Sequence, residues 1–482
     1  MNATIGSKGW RAAVGGRFVV FALLAILVFA TSRLVDSVRS RQLRTGSPLV
    51  ASRSVQDELA ESRDLVLFLE RRVRNDPGDA GAYSKLSGLY LQQLRETGSL
   101  ESLQLALHAA QTSLDIVPPA RNTSGLRSLA LAQFAEHEFA SAAGNARRLI
   151  ELDSTGSPYA ILGDALIELG DYAGAKRAFA EMQRRSRGVD ENVATRLARF
   201  AQLEGTNADA TRWYAKALAM ALARGKPSHD RIAWYDWQLG ETAFASGDYA
   251  TAQNEYEAAL ETYPGYYRAL AGLGRVLAAR GDLLGAIDRY RAAIRVLPDP
   301  TFVAALGDVY ELSGRPREAA VQYDLVEFIG HVGVLNGVLY NRQLAVFHAD
   351  HDRKTREAYT DAEREYAARR DIYGADAVAW AALKAGKLQA AQRAERAALR
   401  LGTKDARLFY HAGMIAAAAG EREAAYSYLQ RALGLSPEFD PLQAKRAREA
   451  LASQSVTAIA RRAPDPFENG VLSPYPRGAT SK

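Results

Sequence analysis

Residues 237–298 read WQLGETAFASGDYATAQNEYEAALETYPGYYRALAGLGRVLAARGDLLGAIDRYRAAIRVLP, and one frame runs through the stretch twice. Leu239-Gly240 precede the turn Gly247-Asp248-Tyr249, and Ala252, Tyr256, Ala259 and Pro264 come after it. The same offsets return as Leu273-Gly274, Gly281-Asp282-Leu283, Ala286, Tyr290, Ala293 and Pro298, 34 residues later. Each part of the frame has a mechanical reason. Gly240 and Ala252 let two helix backbones approach, and Tyr256 fills the space against the neighbouring unit. Gly247 adopts the left-handed conformation that ends the first helix. Pro264 stops the second, because proline cannot continue a helix.

Working outward, turn glycines recur at Gly170, Gly205, Gly314, Gly386 and Gly420, and the step from Gly386 to Gly420 is again 34 residues. In the last unit Gly413, Ala425, Leu429, Ala432 and Pro437 hold the frame. A fixed period near this value marks stacked helix-turn-helix units. These residues resemble the tetratricopeptide repeat. The resemblance implies an all-α, right-handed superhelical solenoid in which the first helices of successive units line a concave groove for partner peptides or helices. Unit starts fall near Tyr83, Ser124, Tyr159, Val193, Trp234, Arg268, Thr301, Leu339, Tyr373 and Arg407, the first two being degenerate. The expected organisation is a polar linker over 36–63, the solenoid over 64–440, a capping helix over 441–462 and a disordered tail from 463.

The amino terminus has a different character. Residues 18–30, FVVFALLAILVFA, are wholly apolar, and no charge separates Arg17 from Arg33. As a helix the 15 intervening residues would span about 22 Å, short of the ~30 Å hydrocarbon core, a length that suits a signal-peptide core or a snorkelling anchor. Val28-Phe29-Ala30 resembles a cleavage site. Arg33, Arg39, Arg41 and Arg44 behind the segment oppose export of the body. Residues 1–35 are therefore expected to be a signal peptide or membrane anchor. The body is placed outside the cytoplasm at the cell envelope, with tethering to the cytoplasmic face as the alternative.

The net charge of +6 belongs to the ends. Residues 1–63 carry nine Lys/Arg against four Asp/Glu, and residues 441–482 carry seven against three, which leaves the body at about −3. A nucleic-acid-binding body needs a basic stripe interleaved with aromatics, so nucleic acid is not expected as a partner. The absence of cysteine excludes disulfides, thiol nucleophiles and Cys-ligated metals.

No serine sits in a nucleophile-elbow pattern, and no cofactor is expected. Gly272-x-Gly274 lies within a helical stretch and is repeat packing rather than a dinucleotide loop. One cluster competes with the scaffold reading. In FHADHD, residues 347–352, His348 and His351 are spaced to share a helical face, and Asp350 adds an oxygen. That set can hold a metal. Against it, a turn is due at this point and Asp352 stands where a helix N-cap belongs. The stretch from Asn341 to Met414 also resembles a block found in bacterial tetratricopeptide-repeat proteins of unassigned role.

Within the repeat frame, the groove receives Trp234, Trp237 and Glu241 from one unit, Arg268 and Arg275 from the next, and Asp308 from the third. Tyr373, Trp380, Arg407 and Tyr410 come further along. Aromatic and Arg side chains are the usual anchors of protein interfaces. The sequence thus reads as a non-enzymatic protein-binding scaffold.

Overall fold

The structure is a computed structural model that describes residues 54–225, 227–335 and 341–462. The apolar segment 18–30, most of the linker, the start near Leu339 and the tail from 463 lie outside the described residues. Among those described, twenty-two α-helices and one 3-10 turn at Pro119–Arg121 account for the regular structure.

The first helix, α1 (Val55–Asn75), begins inside the stretch expected to be linker. Its start is fixed by a capping box, in which the Ser54 side chain accepts from the Asp57 N–H and Asp57 accepts from the Ser54 N–H. Ten helix pairs come after it. They are α2 (Ala80–Thr97) with α3 (Leu100–Ile116), α4 (Thr123–Ala135) with α5 (Phe139–Leu152), and α6 (Ser157–Glu168) with α7 (Tyr172–Arg185). Next come α8 (Glu191–Leu203) with α9 (Asn207–Ala223), α10 (His229–Ala245) with α11 (Tyr249–Thr262), and α12 (Tyr267–Ala279) with α13 (Leu283–Val296). The last four are α14 (Pro300–Leu312) with α15 (Pro316–Leu335), α16 (Asn341–Asp350) with α17 (Thr355–Ala368), α18 (Ile372–Lys384) with α19 (Leu388–Ala398), and α20 (Ala406–Ala418) with α21 (Arg422–Leu435). Helix α22 (Gln443–Arg462) ends the described chain.

The Gly-Asp pair in the turns does two jobs. Gly247 takes φ 76° and closes α10, and the Asp248 side chain then accepts from the Thr251 N–H to cap α11. Asp171 and Asp282 cap α7 and α13 in the same way, each cap being worth about 1 kcal/mol. The eighth pair departs from this pattern. Asp352 and Lys354 adopt positive φ without glycine, and no side chain caps α17, so Asp352 is not the N-cap the sequence suggests.

Packing within a pair obeys a 16-residue rule. A Cβ on Gly163, Gly240, Gly274, Gly307 or Gly413 would strike the ring or side chain of Phe179, Tyr256, Tyr290, Tyr323 or Leu429, respectively. The small residue is the socket into which the large one of the second helix fits, and Tyr256 is fully buried there. The first helices of neighbouring pairs also pack on one another directly, as α10 on α12 and α16 on α18. They therefore occupy the inside of the curve, with the second helices outside.

The curve is tight enough for successive superhelical turns to touch. The Tyr172 hydroxyl accepts from the Ile372 N–H at 2.8 Å. The Thr403 hydroxyl donates to the Leu203 carbonyl at 2.5 Å, and Ser436 donates to the Phe244 carbonyl at 3.1 Å. Near the start, Gly98 lies against the Leu297 side chain, and the Tyr267 hydroxyl donates to the Arg95 carbonyl at 3.1 Å. One rule covers the turns at Gly98, Tyr172, Leu203 and Phe244: the turn inside pair n lies against the loop after pair n+5.

Candidate functional site

The inner face is built from one position repeated along the stack. In six pairs a polar side chain stands immediately after the socket residue: Asp164 after Gly163, Arg199 after Ala198, Glu241 after Gly240, Arg275 after Gly274, Asp308 after Gly307 and Asp350 after Ala349, whereas the ninth and tenth pairs have Trp380 and Met414 there. The socket fixes the azimuth of its helix, so these six residues occupy one register position along the stack. The row alternates in sign from Asp164 through Asp308, and its members are engaged with neighbours. Glu241 accepts from the Tyr256 hydroxyl at 2.7 Å and from Arg275 at 2.6 Å, and the Arg275 guanidinium lies 4.0 Å from the Phe244 ring centroid. Asp164 pairs with Arg196 at 2.7 Å. Arg199 is exposed, with Tyr373, Glu168 and Tyr214 around it.

Around this row the predicted groove residues divide into two groups. Trp237 is half-buried and carries the Arg268 guanidinium 5.1 Å from its ring centroid. Trp234 is half-buried and meets the Tyr214 and Tyr235 rings edge-on, at 6.0 and 5.1 Å. These two tryptophans, with Glu241, Arg268 and Arg275, form one continuous surface on α10 and α12. Tyr373 is half-buried beside Arg199, and Arg407 binds Asp440 at 3.1 Å.

The second group has no contact surface to offer. Trp380 is 0 % exposed, stacks on His411 at 4.3 Å and donates its indole N–H to Asp350 at 2.8 Å. Tyr410 is 1 % exposed and donates to the Gln443 side chain at 2.8 Å. Both are core residues because α18 and α20 pack on one another, and Phe439 and Gln443 also meet Tyr410. Asp308 is likewise buried, accepting from the Tyr323 hydroxyl at 2.9 Å and meeting His351 Nε2 at 2.8 Å.

The metal reading is corrected by the same contacts. His348, Asp350 and His351 do not converge: His351 turns to Asp308, Asp350 to Trp380, and His348 Nε2 lies 3.9 Å from Glu327. Among the described residues no group of three or more His, Cys, Asp or Glu side chains is placed to hold a metal ion. The His351 imidazole sits above its usual range because its bonds to Asp308 outweigh the effect of burial. Burial lowers His348 instead.

A cleft of about 370 Å³ opens between α4, α6 and α8, lined by Arg127, Arg185 and Arg196 beside Leu131, Ile161 and Met182. It is not an anion site. Arg127 is neutralised by Asp153, Arg185 by Glu181 and Arg196 by Asp164.

One cluster escaped the sequence reading. Glu168 of α6 receives Arg369 at 2.5 Å, Arg369 also meets Asp371 at 3.1 Å, and Arg342 joins Asp371 at 3.0 Å to Glu365 at 2.9 Å. It is largely buried and ties one superhelical turn to the next. Burial opposes ionisation of all three acids and raises Glu168 and Glu365, whereas Arg342 and Arg369 hold Asp371 below the usual carboxylate range. A signal was present in the sequence. Sixteen residues beyond the socket, where other pairs place Phe, Tyr or Leu, the eighth pair has Glu365 and the ninth has Glu395.

Residues 238–299 and 406–439 match models of the tetratricopeptide repeat. No curated protein matches the chain. Among solved structures it is similar to a crystal structure of MamA, at 21% identity over 36% of this chain and 96% of that one, with a TM-score of 0.29. It is also similar to a human IFIT1 dimer with PPP-AAAA, at 15% identity over 78% of this chain and 86% of that one, with a TM-score of 0.45. The matched stretches, on α10 to α13 and on α20 with α21, are similar to tetratricopeptide repeats.

Proposed function

We propose that the protein is a non-enzymatic scaffold that holds segments of partner proteins against its concave face. The observation that carries this reading is the surface of Trp234, Trp237, Glu241, Arg268 and Arg275 on α10 and α12. There, half-buried aromatic rings and guanidinium groups stand side by side on the inside of the curve. Such groups combine large contact area with a polar handle. The stack follows the right-handed superhelix of its repeat class, and α22 caps its end.

The scaffold works at the cell envelope, with residues 1–35 as signal or anchor and the repeats outside the cytoplasm. The 13 uninterrupted apolar residues at 18–30 support this placement. No helix among the described residues is long and apolar enough to cross a membrane.

The test uses the full chain carrying a photo-crosslinking residue in place of Trp237, on the inner face, or of Phe328, on the outer face. Defined adducts from position 237 that vanish with Arg268→Ala, and none from 328, are expected. Equal patterns from the two positions would sink the reading. Reporter fusions after residue 60 and at the carboxy terminus separate the extracytoplasmic placement from tethering on the cytoplasmic side.

A further inference from the structure

Five of the six polar residues that follow a socket are engaged within the fold: Asp164 by Arg196, Glu241 and Arg275 by each other, Asp308 by Tyr323 and His351, and Asp350 by Trp380. Arg199 is the exception. It is exposed, Tyr373, Glu168, Tyr214 and Asp371 stand around it, and its guanidinium makes no hydrogen bond or ion pair with any described residue. The two acids are already taken, because Arg369 binds Glu168 and Asp371, and Arg342 binds Asp371 and Glu365. The Tyr214 hydroxyl donates to the Gln202 side chain at 3.2 Å. The Tyr373 hydroxyl, like Arg199, has no partner among the described residues. Burial, and then Asp405 nearby, holds it above the usual phenol range, so it keeps its proton.

Arg199 belongs to α8 and Tyr373 to α18, five pairs further on, and each is held in place by the residue next to it. Phe200 and Ile372 lie in one buried apolar cluster with Leu203, Ala375 and Leu408, and Tyr373 itself packs against that cluster. The Ile372 N–H is fixed in addition by the Tyr172 hydroxyl. Two unpaired donors are thus set beside one another before any ligand arrives, which lowers the ordering cost of binding. A guanidinium offers parallel N–H groups to the two oxygens of a carboxylate, and such charge-assisted bonds are the strong ones.

We infer that Arg199 and Tyr373 form a receptor for the side-chain carboxylate of an aspartate or glutamate in a partner segment lying on the concave face. The assignment rests on that face being the binding surface and adds the chemistry of what it binds. Helix α10, which carries Trp234 and Trp237, is the first helix of the next pair, about 10 Å from α8 at the usual spacing of packed helices. An extended segment covers that distance in about three residues. The acidic residue therefore stands about three or four positions from the apolar residue that meets the tryptophans.

The test uses the immobilised full chain and a library of short peptides blocked at both ends, so that no terminal carboxylate competes. Enriched peptides are expected to carry Asp or Glu about three or four positions from an aromatic or large aliphatic residue. For the best of them, replacing the acidic residue by its amide should weaken binding to the unchanged chain roughly tenfold or more. The same replacement should change nothing on Arg199→Gln, a non-additivity that a purely structural role of Arg199 does not produce. Tyr373→Phe, which removes only the hydroxyl, should weaken the acidic peptide and leave the amide peptide unaffected. Arg177→Gln, at an exposed arginine of α7, is the control and should match the unchanged chain.

If circular dichroism shows that Arg199→Gln has lost helix, Arg199→Lys replaces it. That variant keeps the charge without the planar fork and must weaken the acidic peptide more than the amide peptide. Enrichment without an acidic residue, or an acidic preference that survives Arg199→Gln, overturns the receptor and leaves the scaffold reading standing. Enrichment only from a library with free carboxy termini assigns the site to a chain end and overturns the side-chain assignment. A library that yields no enriched peptide overturns both the receptor and the concave-face reading.

Discussion

Glu168 closes the sixth helix and Arg369 comes just after the seventeenth, 201 residues later, yet their side chains meet at 2.5 Å. The pair is largely withdrawn from solvent, and Arg369 is shared with Asp371. Removing one partner from such a cluster leaves the others uncompensated.

Arg369→Ala is accordingly expected to destabilise the protein by about 3 kcal/mol, the magnitude typical of a broken buried ion pair. Urea unfolding followed by circular dichroism measures it. Arg364→Ala, on an exposed pair with Asp361, serves as control and should change stability by under about 1 kcal/mol. Similar losses for the two would mean that the inter-turn cluster carries no special weight.

Trp237 stands half-buried on the inner surface, whereas Trp380 is fully buried in the core. Trp380→Ala opens a cavity in the core and leaves Asp350 without its indole donor, so a loss of about 3–5 kcal/mol is expected. Trp237→Ala should cost less than half of that and leave the fold intact. Thermal unfolding of the two variants distinguishes them, and equal shifts would place Trp237 in the core.

Glu395 gives a pH dependence. Burial, reinforced by Glu421, pushes its carboxyl up to about 7 from an unfolded value near 4.5. A proton is therefore held more tightly in the folded state. Stability tied to this group is fully present below about pH 4.5, falls as pH rises through 7, and stays lost above. Because the side chain is partly solvated, the discounted effect is about 1 kcal/mol. Glu395→Gln should be neutral at pH 4 and stabilising by about that amount at pH 8. A stabilisation independent of pH would rule the assignment out.

Since His348, Asp350 and His351 turn to separate partners, zinc added to the full chain should leave its melting temperature unchanged and copurify at under about a tenth of an equivalent. A rise in melting temperature abolished by His351→Ala would restore the metal reading.

The repeating frame was legible because it rests on local rules. A glycine with positive φ, an aspartate cap three residues before its N–H partner and a socket sixteen residues from its filler are all written within one pair. The division of the aromatic residues was not legible. Trp234 and Trp380 are both tryptophans on first helices, yet Trp380 is buried against Tyr410 and His411 of the next pair, and the residue type alone does not announce that neighbour. The contacts between superhelical turns were harder still. Tyr172 and Ile372 are brought together by a small rotation accumulated over five pairs, and no single unit encodes it. The start of α1 was missed for a plainer reason: Ser54 and Asp57 form a capping box inside a polar stretch that otherwise reads as linker.

A linear array of repeats folds through neighbours alone and can begin anywhere along its length. Contacts such as Leu203 with Thr403 break that locality, because they wait for the last third of the chain. During synthesis the first five pairs emerge and pack while the edges of their turns face water, and the ring is completed only when the final pairs leave the ribosome. Contacts of such sequence separation are slow to form. The amino-terminal half thus spends the interval as an open crescent, available to chaperones or to an early partner, before the carboxy-terminal half closes over it.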